Sequence, residues 1–224
     1  MVIMEYPAYI DFGFDSTLCL SPMQVEYFNT YSSFPNLDKK ALESIKTRTG
    51  YDHSWVQNVK NLTLIADTEN ISAVKSASTN YKDELTHLDY FPQYKNLSKY
   101  FNRVTTLDLS LINSEVLLHQ DTHDKISDHR YCLKIIAHGS CEDFIMVKLN
   151  PNIPRTTDYS QQVPLNKNSN VFLIDNGQHG HYVPPNPKEF IVLFVNGDLN
   201  QTYSKFETAI SIGHPVYAVN SQAR

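Results

Sequence analysis

The chain has 224 residues and a formal net charge of −5, with 41% hydrophobic, 12% aromatic and 19% charged residues and 7 glycines. This composition excludes a collagen-like or largely disordered chain and fits one large globular domain. The acidic balance argues against binding of duplex nucleic acid through a basic surface. Three cysteines without a Cys-x-x-Cys motif indicate neither a disulfide framework nor a thiolate zinc site.

The N-terminus contains no targeting signal that we can identify. Glu5 and Asp11 are its charged residues, and the basic start of a secretion signal is missing from residues 1–14. No stretch approaches the roughly 18 apolar residues of a membrane-spanning helix. We therefore expect a cytoplasmic protein without a membrane partner.

The first hundred residues favour helices. Ser21-Pro22 is typical of a helix start, with serine as N-cap and proline at the first position, and predicts a helix through Tyr27. Residues 36–47 have apolar side chains at helical spacing and predict a second helix. Residues 58–67 predict a strand and residues 70–88 a weaker helix. Residues 91–102 predict a short amphipathic helix.

From Val104 the pattern changes to short strands separated by turn signals. Strands are predicted over residues 104–111, 115–121, 130–137, 143–149, 171–174 and 190–195. Residues 150–170, rich in proline and asparagine, predict a loop, and Tyr217-Ala-Val219 predicts a last strand. The pattern is typical of an α+β protein with a jelly-roll core and N-terminal helices packed on one face.

We expect one domain over residues 1–224. Within it, residues 1–103 form a mixed helical part, residues 104–198 the jelly-roll core and residues 199–224 a C-terminal extension.

The densest group of polar side chains surrounds His119 and Asp121. On a strand, side chains two residues apart share a face, so this imidazole and carboxylate could converge on one cation. A second source of imidazole is His179-Gly180-His181, after the next predicted buried strand. Two histidines and one carboxylate can hold Fe(II) and leave positions open for an organic acid and dioxygen. The alternative is that these polar residues end their strands and face water.

Two basic residues follow these segments. Arg130 opens the strand after His119 and Asp121, and Lys188 opens the strand after the histidine pair. A dicarboxylate needs a cation at the end remote from the metal. A surface ion pair with Asp128 is the alternative for Arg130.

Three segments together resemble a known family: the approach from Phe91-Pro-Gln-Tyr to His119-Gln-Asp121, the strand start Arg130-Tyr-Cys-Leu, and Val171-Phe-Leu-Ile-Asp175 with His181-Tyr-Val183. They resemble the iron(II)- and 2-oxoglutarate-dependent oxygenases, nearest the aspartyl/asparaginyl β-hydroxylase and prolyl-hydroxylase-like branch. The resemblance covers about residues 90–198.

The resemblance implies a double-stranded β-helix core and Fe(II) held by His119, Asp121 and His181, with His179 as the alternative distal ligand. It also implies 2-oxoglutarate and O2 as cosubstrates, succinate and CO2 as coproducts, and hydroxylation of an amino-acid side chain in a peptide, or of a small metabolite.

The carboxylate end of 2-oxoglutarate is where the sequence departs from the family. The family commonly has an arginine nine or ten residues after the distal histidine, and no arginine occurs here between Arg155 and Arg224. Lys188 is the only cation near that place. The resemblance therefore implies Lys188 or Arg130 as the residue that binds this carboxylate.

Two other functions remain open. A cupin-like protein could bind zinc or manganese through the same ligands without 2-oxoglutarate, and a non-catalytic β-sandwich could serve in protein interaction. Tyr51, His53 and Trp55 could line a substrate cleft, although core packing is the more common role of an aromatic cluster.

Overall fold

The structure is a computed structural model and describes residues 7–50, 52–66, 87–95, 97, 100–120, 131–149, 157–175, 179–199 and 216–217. This part of the chain folds mostly into antiparallel β-sheets with few helices. The prediction of a core of short β-strands accompanied by helices is confirmed at this level.

Helix α1 spans Pro22–Tyr31, and its predicted start at Ser21 is confirmed. The Gln24 N–H donates to the Ser21 hydroxyl, and the Ser21 N–H donates to the Gln24 side chain, so two backbone donors of the first turn are satisfied. Helix α2 spans Lys39–Thr49, as the pattern over residues 36–47 predicts. None of the helices that the structure describes is long and apolar enough to cross a membrane.

The strands in the described residues are β1 (Tyr9–Asp11), β2 (Lys60–Ala66), β3 (Phe101–Ile112), β4 (Val116–His119), β5 (Tyr131–Gly139), β6 (Ile145–Leu149), β7 (Thr157–Pro164), β8 (Val171–Asp175), β9 (His179–Val183), β10 (Phe190–Leu199) and β11 (Val216–Tyr217). The larger sheet has the order β11-β1-β8-β5-β10-β3-β2, and the smaller sheet has the order β4-β9-β6-β7. From β3 to β10 the chain passes repeatedly from one sheet to the other. This winding makes β4 and β9 neighbours although they are far apart in sequence.

The two faces of the larger sheet carry separate apolar clusters. Leu133 and Ile135 of β5 belong to the outer cluster, which also holds Phe28 of α1. Cys132 and Ile136 of the same strand belong to the inner cluster, whose members come from both sheets. Because side chains alternate along a strand, helix α1 packs on one face of the larger sheet and the smaller sheet packs on the other.

The predicted loop over residues 150–170 is wrong, because β7 runs through Thr157–Pro164. Within the described residues, strand β7 is an edge strand whose one partner is β6, and its sequence is polar and ends in proline. Edge strands tolerate such sequences because one side of their backbone needs no partner. The apolar alternation that identifies a buried strand is therefore missing here.

The predicted amphipathic helix over residues 91–102 is also wrong. The structure has a single 3-10 turn over Pro92–Tyr94, and β3 already begins at Phe101. The apolar residues of this segment are buried in the outer cluster, so they pack inward from irregular backbone. The predicted helix over residues 70–88 lies almost entirely outside the described residues.

Candidate functional site

Two of the predicted ligands meet where β4 pairs with β9. His119 lies directly opposite His181 in the register, and the centroids of the two imidazole rings are 4.3 Å apart. Both residues are buried, with 4% and 1% of their surface exposed. The structure therefore brings together two histidines that are 62 positions apart in the sequence.

An irregularity in β4 aims His119 at this position. Val116 pairs with Val183 and His119 pairs with His181, so β4 has one residue more than β9 between the two pairs. Val116 belongs to the inner cluster. In a regular strand His119, three positions after Val116, would face the side opposite to Val116. The extra residue of the bulge turns His119 to the same side as Val116.

A backbone hydrogen bond fixes the orientation of His119. Its Nδ1 lies 2.8 Å from the carbonyl oxygen of Leu117. A carbonyl only accepts, so Nδ1 carries the hydrogen, and in a neutral ring Nε2 then carries the lone pair that can bind a metal. Such an anchored imidazole is typical of a histidine that ligates a metal.

The other candidate distal ligand, His179, has a different environment. Its Nδ1 lies 3.1 Å from the Oδ2 of Asp175, and both side chains are buried. The Gln120 amide donates to the His179 carbonyl at 3.4 Å. A carboxylate partner can orient a metal-binding imidazole, so the contact is compatible with ligation. The residue opposite His119, however, is His181.

Aromatic side chains surround the histidine pair. Phe144 stacks on the His181 ring with centroids 4.8 Å apart and an angle of 17° between the planes. The indole of Trp55 lies 4.6 Å from the His119 ring, and the His53 ring lies 5.9 Å from it. Trp55 and His53 therefore adjoin the candidate site, whereas Tyr51 lies outside the described residues.

Asp121 and Arg130 both lie outside the described residues. Among the residues that are described, no three histidine, cysteine, aspartate or glutamate side chains are grouped so that they could hold a metal ion. The three-ligand set and the role of Arg130 stay predictions.

Lys188 lies at the surface. Its side chain is 69% exposed and forms an ion pair with Glu142, and its backbone N–H donates to Asp143 at 2.8 Å. The hydrogen bond with Glu142 raises the pKa of Lys188 and lowers the pKa of Glu142. Lys188 therefore faces solvent, and its binding to 2-oxoglutarate remains a prediction.

A cation that the sequence reasoning missed is fully buried on β5. Lys134 has 0% of its surface exposed and lies between Phe172 of β8 and Phe194 of β10 in the register. Its Nζ is 3.4 Å from the centroid of the Phe194 ring, a cation–π contact. The sequence signal was available: one charged residue stands between Cys132 and Ile136, which face the inner cluster.

Asp108 lies on β3 on the other side of Phe194. The Thr63 hydroxyl donates to its carboxylate at 2.6 Å. Asp108 as a residue is partly buried, and desolvation of its carboxyl by the surrounding protein raises its pKa from 3.8 to about 6, against the opposing effects of the Thr63 hydrogen bond and the Lys134 charge. A row of alternating polar and aromatic side chains thus crosses the inner face of the larger sheet.

A cavity of about 210 Å³ lies apart from these residues, and Cys19, Cys141 and Lys167 are among its lining. Burial raises the pKa of the Cys19 thiol and raises that of Cys141 to about 12. Thiols with raised pKa values are poor nucleophiles and poor metal ligands at neutral pH. Neither His119 nor His181 is among the residues that line this cavity.

No protein family matches the sequence, and no curated protein matches it. Solved structures that are similar to the chain include a prolyl hydroxylase from Trichoplax adhaerens in complex with a hypoxia inducible factor peptide fragment (14% identity, 68% of this chain and 66% of that chain, TM-score 0.35). A second is EvdMO1, with 15% identity over 86% of this chain and 48% of that chain and a TM-score of 0.39. A third is a 2OG-Fe(II) oxygenase family oxidoreductase from Burkholderia pseudomallei, with 12% identity over 80% of this chain and 94% of that chain and a TM-score of 0.34. The chain spans less than two thirds of the length of the first two. Likenesses at such TM-scores establish neither a shared fold nor a shared function.

Proposed function

We propose that this chain is an Fe(II)- and 2-oxoglutarate-dependent dioxygenase that hydroxylates an amino-acid side chain or a small metabolite. The observation that carries the proposal is the buried pair of His119 and His181, with the Nδ1 of His119 anchored on a backbone carbonyl. Nitrogen ligands that face one another from neighbouring strands suit iron, and thiolates are not needed.

The strand order supports a double-stranded β-helix core. The central strands of the larger sheet follow the order β8-β5-β10-β3, the smaller sheet follows β4-β9-β6-β7, and every pairing is antiparallel. Two sheets that exchange the chain in this way are typical of a jelly roll. In the proposed single domain, residues 104–198 form this core, residues 1–103 supply the helices that pack on one face, and residues 199–224 are a C-terminal extension.

In the proposed site, His119, Asp121 and His181 hold Fe(II), with His179 as the alternative distal ligand. The iron, when bound, supplies the binding and activation of dioxygen that organic side chains lack. The chain contributes the orientation of the ligands and the exclusion of water. Burial of the histidine pair against Phe144 supports this second contribution.

We further propose that Lys134 neutralises the remote carboxylate of 2-oxoglutarate. Lys134 places a positive charge at a fully buried position, and a charge-assisted contact with an anion is stronger away from water than at the surface. Lys134 faces the inner cluster, as the histidine pair does through Phe144. Lys188, paired with Glu142 at the surface, and Arg130 are the alternatives.

The test is a titration that needs no substrate. Purified full-length protein receives Fe(II) without oxygen, and 2-oxoglutarate is added while the visible metal-to-ligand charge-transfer band is recorded. We expect a saturable band that H119A and H181A abolish. H179A is the matched control and should keep the band if His181 is the distal ligand.

The same titration tests the carboxylate partner. K134M should weaken 2-oxoglutarate binding by roughly 10- to 100-fold, the value of a charge-assisted hydrogen bond of about 1.5–3 kcal/mol, whereas K188M should leave it unchanged. A band retained in H119A would refute the oxygenase site. Tight metal binding without a band would favour the cupin-like alternative, and no metal binding would favour the interaction domain.

A further inference from the structure

The only tryptophan of the chain reaches the candidate site from the N-terminal half. Trp55 lies in a 3-10 turn over Ser54–Asn58, between α2 and β2, and this turn contacts β4. The Ser54 N–H donates to the Asp52 carboxylate at 2.9 Å, and the Gln57 amide donates to the Leu37 carbonyl at 2.5 Å. Both bonds hold the turn that presents the indole to the inner cluster.

The indole forms one wall beside His119. Its ring is tilted by 42° to the His119 ring at a centroid distance of 4.6 Å, and the His53 ring stacks on its side at 6.2 Å. Trp55 is half-buried and packs against the inner cluster. A molecule seated at the histidine pair would therefore lie within reach of the indole.

The indole N–H is a buried donor that has no acceptor in the part of the chain that the structure describes. A tryptophan N–H can only donate, and when buried it usually finds an acceptor. Leaving a buried donor unsatisfied is unfavourable, because the donor has lost its hydrogen bond to water. A ligand that supplies an acceptor at this position recovers that free energy on binding.

We propose that the Trp55 indole N–H donates a hydrogen bond to an acyl oxygen, of a carboxylate or an amide, in the molecule bound beside His119. The proposed function enters only in locating this molecule at the histidine pair. The organic acid cosubstrate and an amino-acid or peptide substrate both carry such oxygens. Trp55 is then a binding residue that lies outside the predicted metal and 2-oxoglutarate contacts.

The test uses the fact that one tryptophan gives one indole N–H resonance. In 15N-labelled full-length protein loaded with diamagnetic Zn(II), the resonance is followed while 2-oxoglutarate is added in one arm and N-acetylproline methylamide in the other. We expect a saturable downfield shift in at least one arm. A shift with the acid identifies the cosubstrate as the acceptor, and a shift with the amide identifies the primary substrate.

Two variants separate the hydrogen bond from ring packing. W55F keeps an aromatic wall and removes the donor, so the shifting probe should bind roughly twofold to tenfold more weakly, as a net hydrogen bond of about 0.5–1.5 kcal/mol implies. Y94F is the matched control, because it removes a buried donor that binds the Leu18 carbonyl in the outer cluster. It should leave probe affinity unchanged.

The outcomes distinguish this inference from the oxygenase proposal. An indole resonance unmoved by both probes overturns the role of Trp55, even where the Fe(II)–2-oxoglutarate band forms. Unchanged probe affinity in W55F also overturns it. A shift without the band supports the role of Trp55 and counts against the oxygenase.

Discussion

The pH dependence of stability should report directly on Asp108. Its pKa is raised from 3.8 to about 6 in the folded protein. Below pH 3.8 both states are protonated, and between 3.8 and 6 the unfolded state loses the proton that the folded state keeps. Stability therefore falls as the pH rises through this interval, and the full penalty is present above pH 6. The interval corresponds to about 3 kcal/mol, since one pKa unit is worth about 1.36 kcal/mol.

The variant D108N removes this titration while keeping the shape of the side chain. Urea unfolding of wild type and D108N at several pH values between about 4 and 7 gives the free energy of unfolding of each. The free energy of unfolding of D108N minus that of wild type should increase with pH by at most about 3 kcal/mol, because Asp108 is only partly buried as a residue and solvent around it reduces the effect. Groups that titrate equally in both proteins cancel in this difference.

T63V provides the second half of the test. The Thr63 hydroxyl donates to the Asp108 carboxylate and so favours its ionised form. Losing this bond should raise the pKa of Asp108 further and extend the fall in stability to higher pH. A difference between D108N and wild type that stays constant from about pH 4 to about pH 7 would refute the reasoning.

Three glycine substitutions give two further predictions. Gly13 and Gly139 have φ values of +85° and +83°, but a Cβ meets nothing within 4 Å at Gly13 and would lie 2.4 Å from the Glu189 carbonyl at Gly139. G13A should lower the free energy of unfolding by about 1–2 kcal/mol, whereas G139A should abolish cooperative thermal unfolding. Equal losses of stability in the two variants would contradict the role of the clash at Gly139. At Gly180 a Cβ would lie 3.0 Å from the His119 carbonyl, so G180A should push β4 away from β9 and lower Fe(II) affinity in a metal titration, with G13A as control. Unchanged affinity would show that the strands absorb the methyl group.

The sequence predicted the strands whose side chains are apolar and missed those whose environment is set by their neighbours. The buried strands β5, β8 and β10 follow from runs of aliphatic residues. Strand β1 has three residues, too few for a period to emerge, and β7 owes its conformation to pairing with β6. Local propensity carries little information on an edge strand, because the partner supplies the hydrogen bonds.

The sequence predicted which residue types form the candidate site, but not the directions in which their side chains point. The sequence indicated His119 and His181, but the bulge that turns His119 inward is visible only in the pairing of β4 with β9. Counting residues from the distal histidine favoured Lys188, which the structure places at the surface. Lys134 was overlooked because spacing along a chain does not show that the opposite face of a strand is enclosed.

The short strand β1 has a consequence for how the chain avoids self-association. Strand β8 reads Val-Phe-Leu-Ile-Asp and is buried throughout, and β1 covers one of its edges through the pairs Tyr9–Ile174, Ile10–Leu173 and Asp11–Phe172. An uncovered strand of this composition is a template for pairing with another molecule. Residues 9–11 thus cover an apolar side of β8, and a variant that lacks residues 1–11 would expose it.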